Sequence, residues 1–153
     1  MDVSIYLAPC KKKSINYTDG KIGQMIMEYN EDSVKTIRRI IDDKNLDKDI
    51  YNPKFIFSKI SILKNQLIDS TKYLEKNELI QNDETNKQGD FKYIYQQYSI
   101  ICQKSNSMDF DDLLLKTHQL FTNNPETLDV YQSMFEYILI DEYQDTNKVQ
   151  DAI

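Results

Sequence analysis

Residues Tyr137–Asn147 have the sequence YILIDEYQDTN, in which four apolar residues run directly into a group of acidic and amide residues. A short run that is apolar on both faces is typical of a buried parallel strand. Such a strand needs neighbouring strands and covering helices, because a lone strand cannot satisfy its own backbone hydrogen bonds. No second convincing strand is evident in the sequence. We therefore expect this segment to belong to a sheet that these residues supply only in part.

Upstream of this strand, apolar residues recur at helical spacing over most of the chain. The positions are Val34, Ile37, Ile40 and Ile41, then Ile56, Ile60, Leu63 and Leu67, then Phe91, Ile94, Tyr95, Tyr98, Ile101 and Cys102, and finally Phe110, Leu113, Leu114, Thr117 and Phe121. Asp32 or Ser33 could cap the first helix, and Asn124 followed by Pro125 predicts a short last one. Residues 74–90 are polar and weakly patterned, which predicts a loop with one helical turn. The expected fold is mostly α with one C-terminal parallel strand.

The composition argues against several classes of protein. Three Gly and three Pro in 153 residues disfavour small all-β sandwiches and barrels, which need many turns. The formal net charge of −6 does not indicate nucleic-acid binding, although a local basic patch would be enough for it. No apolar run approaches the roughly 18 residues that a membrane span needs. Cys10 and Cys102 make neither a disulfide framework nor a metal site, and this usage fits a reducing cytoplasm.

The acidic pair Asp141 and Glu142 follows the strand at a position where many enzymes place carboxylates. In open α/β sheets, ligands bind outside the carboxyl ends of the strands. A carboxylate there can hold Mg²⁺ beside nucleotide phosphates, and a second one can orient or deprotonate an attacking water. Acidic residues are also common at solvated strand ends, so the pair by itself leaves both interpretations open.

The longer string is more specific. Tyr137–Asn147, together with Gln150, resembles the Walker B segment (motif II) of superfamily 1 DNA helicases of the UvrD/Rep/PcrA type. In that family an apolar strand is followed by Asp-Glu-aromatic-Gln-Asp-Thr-Asn and a nearby Gln. Met108–Leu114, with the sequence MDFDDLL, resembles the Asp-Phe-Asp-Asp-Leu box of the same family at the expected distance. Weaker similarities extend the resemblance over roughly residues 28–153, at Tyr51–Pro53, Ile60–Asn65 and Ile94–Tyr98.

The resemblance implies a role for each position of motif II. Asp141 would help to hold Mg²⁺ with ATP, and Glu142 would act on the hydrolytic water. Gln144 and Asp145 would lie in the crevice between two motor domains and would couple the nucleotide state to DNA. The parent protein would be an ATP-dependent helicase that moves along single-stranded DNA and opens duplex DNA in the 3′-to-5′ direction.

The same resemblance divides the chain into segments. Residues 1–29 remain unassigned. Residues 30–106 would correspond to a helical accessory insertion, subdomain 1B. Residues 107–153 would return into the ATP-binding core, an α/β P-loop NTPase (RecA-like) motor domain, and would carry its Walker B strand.

Five further residues are candidates for the site. Lys59 and Lys64 would lie where an accessory domain could touch DNA phosphate, although lysines on a solvated helix face need no such partner. Asp109, Asp111 and Asp112 could form a polar network beside motif II. Acidic residues near a helix N-terminus also interact favourably with the helix dipole. Simple capping of the helix is therefore also an open interpretation.

A Walker A segment is missing from the sequence. Cradling the phosphates of ATP needs G-x-x-x-x-G-K-[ST], and the only glycines are Gly20, Gly23 and Gly89. We therefore expect a helicase fragment that needs the remaining helicase domains and, alone, neither hydrolyses ATP nor unwinds DNA. Two alternatives remain open. One is a standalone helical module, derived from a helicase, that binds DNA or a protein, and the other is a fragment of a helicase–nuclease of the RecB or AddA type.

Overall fold

The computed structural model describes residues 5–9 and 29–153, which form eight α-helices and two strands. Most of the unassigned segment 1–29 lies outside the described residues. None of the described helices is long and apolar enough to cross a membrane. In chain order the elements are β1 (Ile5–Pro9), α1 (Tyr29–Asp43), α2 (Pro53–Asn65), α3 (Ser70–Glu75), α4 (Asn77–Thr85), α5 (Phe91–Lys104), α6 (Phe110–Asn123), α7 (Pro125–Met134), β2 (Phe135–Ile140) and α8 (Lys148–Asp151).

The hydrophobic core lies among helices α1, α2, α3 and α5, which confirms the expectation of a mostly helical chain. The rings of Tyr73 and Phe91 meet edge to face, with centroids 5.3 Å apart. This arrangement suits the positive edge and negative face of aromatic rings. The core residues are Ile37, Ile40, Ile41, Tyr51, Ile56, Ile60, Leu63, Tyr73, Phe91, Ile94, Tyr95, Tyr98 and Cys102.

Local signals account for several helix starts. Asn52 caps α2, since its side chain accepts hydrogen bonds from the backbone N–H groups of Lys54 and Phe55, and Pro53 follows it at the first helical position. Helix α7 begins at the predicted Pro125. Helix α1 begins at Tyr29, earlier than the predicted cap, so Ser33 lies inside the helix and is buried.

Four helix ends use a residue other than glycine in the left-handed region. The residues are Asn45, Leu67, Lys87 and Asn106, with φ between 49° and 63°. After α2, for example, the N–H of Leu67 donates to the carbonyl of Lys64, and that of Ile68 donates to the carbonyl of Leu63. This pair of bonds is the Schellman motif, in which glycine is the usual residue. These helices therefore end at residues that carry a Cβ atom, which strains the left-handed backbone locally.

The predicted loop with one helical turn over residues 74–90 is wrong, because this segment contains the end of α3 and the whole of α4. Asp69 caps α3 through the N–H groups of Thr71 and Lys72. In α4 the carboxylate of Asp83 is buried, and it accepts hydrogen bonds from the Tyr73 hydroxyl and the Lys59 ammonium. A polar group therefore anchors α4, which explains why the segment shows little apolar periodicity.

The predicted strand over residues 137–140 is confirmed as part of β2, but its predicted parallel pairing is wrong in this structure. Strand β2 pairs with β1 in an antiparallel two-stranded sheet, in which Ile5 lies opposite Ile140 and Leu7 lies opposite Ile138. The predicted burial is also not observed, since Tyr137 and Leu139 are 65% and 68% exposed. Backbone pairing with β1 satisfies an edge of the strand, while the helices described here leave its side chains uncovered.

Candidate functional site

The chain turns sharply as it leaves β2. Glu142 adopts the left-handed region, with φ 52° and ψ 43°. Its backbone N–H donates to the Asp141 carboxylate at 2.9 Å. Its carbonyl accepts from the N–H of Asp145 at 2.8 Å, which opens a single 3₁₀ turn over Tyr143–Asp145. Such strained positions are enriched at active sites, where neighbouring bonds hold them in place.

The turn brings the four predicted residues of motif II together on the surface. Asp141, Glu142, Gln144 and Asp145 are all exposed. The side-chain amide of Gln144 donates to the Glu142 carboxylate. Two carboxylates with different neighbours therefore occupy adjacent positions. With this arrangement, one carboxylate can bind a cation while the other orients a water molecule.

The donor set fits Mg²⁺ only with help from a nucleotide. Among residues 5–9 and 29–153 there is no group of three or more His, Cys, Asp or Glu that could hold a metal ion. Asp141 supplies the hard oxygen ligand that Mg²⁺ prefers, and one of its oxygens is used by the N–H of Glu142. Mg²⁺ is commonly bound by one or two protein carboxylates, with substrate phosphates and water as the other ligands. Asp141 alone would therefore supply enough protein ligands from this turn for Mg²⁺ bound with a nucleotide.

The turn ends in a short helix that is fixed to the helical part of the chain. Asn147 caps α8 through a reciprocal capping box with Gln150, with N–H to side-chain oxygen distances of 2.9 and 3.0 Å. Val149, within α8, is fully buried. Helix α8 packs against α6 and α2. One end of the motif II turn is therefore anchored, while the turn itself is open to solvent.

The acidic box at the start of α6 is a structural network. Asp109 caps α6 in a capping box with Asp112. The ammonium of Lys64 lies 2.6 Å from Asp109 and 2.8 Å from Asp112. The side chains of Lys64 and Asp109 are almost completely buried, and that of Asp112 is 14% exposed. The hydroxyl of Tyr98 donates to Asp109 at 2.7 Å and is also hydrogen-bonded to Ser33. The capping interpretation is therefore correct for Asp109 and Asp112.

Burial and charge act against each other in this network. Burial alone would lower the pKa of Lys64, but the two carboxylates outweigh it and raise that pKa above its ordinary value of 10.5. Burial would likewise raise the pKa of Asp109, yet the Lys64 charge lowers it below 3.8. Burial, together with the Asp109 charge, raises the pKa of Asp112 above 3.8. The second carboxylate is therefore the less strongly stabilised of the two.

The structure argues against DNA contacts by Lys64 and Lys59. Lys64 is 3% exposed, and its ammonium is already bound by two carboxylates. Lys59 is paired with the buried Asp83, donates to Gln88 at 3.0 Å and lies 4.2 Å from the centre of the Phe91 ring. Both lysines stabilise the packing of α2, and a helical pattern alone does not distinguish such positions from a solvated face.

The third residue of the acidic box connects it to motif II. The side-chain amide of Asn65 donates to Asp111 at 3.1 Å, and its carbonyl oxygen accepts from the side chain of Asn147 at 2.8 Å. Sequence reasoning assigned no role to Asn65 or Asn147. The available signal was that both lie inside strings that carry the family resemblance, at the end of Ile60–Asn65 and the end of Tyr137–Asn147.

The sequence is similar to known proteins over most of its length. Residues 12–153 match the family model described as UvrD/REP helicase N-terminal domain. The chain is 37% identical over 117 residues to ATP-dependent DNA helicase PcrA of Leuconostoc citreum, which is 76% of this chain and 15% of that protein. It is 40% identical over 123 residues to a probable DNA helicase II homolog of Rickettsia felis, covering 79% of this chain and 18% of the relative.

A further relative matches nearly the whole chain. The identity to a probable DNA helicase II homolog of Mycoplasma capricolum is 32% over 160 residues, which covers 99% of this chain and 21% of the relative. The chain thus spans about a fifth or less of the length of the curated relatives that it matches.

Proposed function

Because the chain belongs to the UvrD/Rep helicase N-terminal domain family, we propose that it is one part of an ATP-dependent DNA helicase. Residues 30–106 form the helical accessory insertion, and residues 107–153 belong to the ATP-binding motor domain. The position of the core supports this division, because the main hydrophobic cluster ends at Cys102 in α5. The parent enzyme acts on single-stranded and duplex DNA and moves in the 3′-to-5′ direction.

The observation that carries the proposal is the exposed turn that follows β2. Asp141 supplies a carboxylate ligand to Mg²⁺ bound with ATP, and Glu142 orients the hydrolytic water and accepts its proton. Gln144 and Asp145 lie on the same turn and couple the nucleotide state to DNA. When bound, Mg²⁺ would neutralise charge on the phosphate oxygens. The different partners of the two carboxylates support separate roles, because Asp141 accepts from the N–H of Glu142 and Glu142 accepts from the Gln144 amide.

The isolated chain should bind ATP weakly and should not turn it over. No Walker A segment surrounds the phosphates, and the Lys that it would supply is missing from the sequence. ATP hydrolysis by the purified chain, lost on Asp141→Asn, would contradict this part of the proposal.

Grafting the chain into a relative tests the assigned roles directly. Residues 30–153 would replace the corresponding segment of Bacillus subtilis PcrA, a relative that is 36% identical over 125 residues. The grafted protein should hydrolyse ATP when single-stranded DNA is added. Glu142→Gln should lower kcat by about 100-fold or more, as expected for loss of a general base. The matched control is Asp129→Asn, at an exposed position of α7 outside the turn, and it should retain full activity.

The second candidate is a standalone helical interaction module, and the continuous core of α1, α2, α3 and α5 favours it. The exposed apolar side chains of β2 favour the helicase fragment instead. A cooperative melt of the chain without binding of a hydrophobic dye would support the module. Dye binding to the folded chain would support the fragment.

A further inference from the structure

The side chain of Asn65 occupies a junction between three helices. It lies at the C-terminal end of α2, and its carboxamide reaches the first turn of α6 and the cap of α8. Its N–H group donates to Asp111, and its oxygen accepts from Asn147. Because donor and acceptor are both engaged, the orientation of the carboxamide is determined by its partners.

The bond between Asn65 and Asn147 is the link between the motif II turn and the helical part of the chain. Among residues 29–153, it is the one hydrogen bond that joins the segment 141–153 to helices α1–α7. The remaining hydrogen bonds of that segment, such as those of Glu142 and Gln144, lie within it. The position of the turn relative to the helices therefore depends on this bond and on the packing of Val149.

The end of α2 is a firm support for this link. Lys64, the preceding residue, is held by the carboxylates of Asp109 and Asp112. The helix closes immediately afterwards with the Schellman bonds of Leu67 and Ile68. Two successive side chains of α2 thus fix the start of α6 and the start of α8 on one rigid element.

We propose that Asn65 is a positioning residue for the Asp141–Glu142 turn, through which the helical accessory unit sets the placement of the two carboxylates. The catalytic part of this inference depends on the function proposed above for the turn. Small displacements of catalytic groups are costly, since a misplacement of about 1 Å can lower a rate about 100-fold. Loss of the carboxamide removes the hydrogen bond between α2 and the cap of α8, and leaves the packing of Val149 to hold the turn.

The structural part is tested on the complete 153-residue chain by NMR amide exchange. Asn65→Ala should speed exchange of the amides in residues 147–152 by about 3- to 10-fold, the effect of one net hydrogen bond. The amides of α5 should change by less than about twofold. The matched control is Asn86→Ala, which removes an exposed carboxamide that bonds only within its own helix and its end. Unchanged exchange at 147–152, or equal acceleration throughout α5, would overturn the inference.

A paired exchange of groups provides a rescue. Asn65→Asp combined with Asp111→Asn swaps donor and acceptor between the two positions, while position 65 still accepts from Asn147. The paired variant should restore slow exchange at residues 147–152. Asn65→Asp alone should not, because two carboxylates would then face each other. Failure of the rescue would show that the side-chain pairing does not determine the order of α8.

The grafted helicase separates failure of this inference from failure of the proposed function. Asn65→Ala should lower kcat at least about 10-fold with little change in KM for ATP, and the paired variant should recover most of it. If Glu142→Gln leaves hydrolysis intact, the proposed function is wrong whatever Asn65 does. If Glu142→Gln abolishes hydrolysis and Asn65→Ala leaves kcat unchanged, the positioning role alone is wrong.

Discussion

At the scale of single residues, the buried network around Lys64 shows how context decides the role of a charge. One ammonium faces two carboxyl groups in the cluster of Lys64, Asp109 and Asp112, so the two carboxyl groups share a single cation. Asp109 has the additional support of Tyr98 and of a backbone N–H. The two carboxylates lie three residues apart in one capping box but differ in how much their charge stabilises the fold.

Replacing each carboxylate by an amide should reveal this difference. Asp109→Asn should lower the free energy of unfolding by about 2–4 kcal/mol, because it removes the charge from the better-paired site of a buried ion pair. Asparagine remains a good N-cap, so capping contributes little to the loss. Asp112→Asn should cost less than about 1 kcal/mol, since Lys64 keeps its partner Asp109. Urea denaturation measures the free energy of unfolding of both variants. Equal losses in the two variants would contradict the conclusion that Asp109 is the more strongly stabilised carboxylate.

The raised pKa of Asp112 predicts a pH dependence of known sign. In the window above its ordinary pKa of 3.8, the folded chain holds a proton on Asp112 that the unfolded chain does not. The free energy of unfolding of the wild type should therefore rise relative to that of Asp112→Asn as pH falls toward 3.8. Below 3.8, protonation of Asp109, whose pKa is lowered, should destabilise both proteins. Denaturation curves recorded from pH 7 down to acidic pH test this prediction. If Asp112 stayed ionised in the folded chain, the free energy of unfolding of the wild type would fall relative to that of Asp112→Asn.

At the scale of elements, helix ends are where this glycine-poor chain deviates from the preferred residue types. Lys87 closes α4 with φ 61°, and its side chain is exposed. A lysine in this conformation is strained by about 1–2 kcal/mol, whereas glycine adopts it freely. The local geometry is retained because the bonds of Lys87 and Gln88 to α4 satisfy the last carbonyls of the helix.

Lys87→Gly should therefore raise the free energy of unfolding by about 0.5–1 kcal/mol, after the greater unfolded-state entropy of glycine is subtracted. Gln96→Gly is the control, since Gln96 is an exposed residue inside α5. There glycine should lower the same free energy by about 1 kcal/mol. Thermal denaturation measures the change in stability caused by each substitution. Destabilisation by both substitutions would show that Lys87 is not strained.

At the scale of the whole molecule, the folded core and the motif II strand are unequally covered. Helices α1, α2, α3 and α5 enclose their apolar side chains, while β2 leaves Tyr137 and Leu139 largely exposed. Residues two apart on a strand lie on the same face. This face is therefore a continuous apolar surface, of the kind that interacts with further protein.

Replacing Tyr137 and Leu139 together by threonine should reduce binding of a hydrophobic dye. The free energy of unfolding should change by less than about 0.5 kcal/mol, because both side chains are exposed and threonine suits a strand. Ile60→Thr, at a fully buried core position, should instead cost more than about 2 kcal/mol. Dye binding that persists in the double variant would place the exposed apolar surface elsewhere.

The sequence by itself determined the features that depend on neighbours along the chain. Helical periodicity predicted the helices around Ile56 and Phe91, and the apolar run before Asp141 predicted β2. These signals are local, because each residue's contribution repeats with the period of its own element. The family membership also followed from short contiguous strings, the motif II turn above all.

The tertiary structure alone decided which groups meet across the chain. Lys64 lies next to Asp109, Lys59 next to Asp83, and Asn65 next to Asn147, although each pair is far apart in sequence. A buried lysine and an exposed one have the same helical pattern, so only packing could show that Lys64 is unavailable to DNA. The antiparallel pairing of β2 with β1 was likewise decided by long-range backbone bonds, for which the sequence carries no periodic signal.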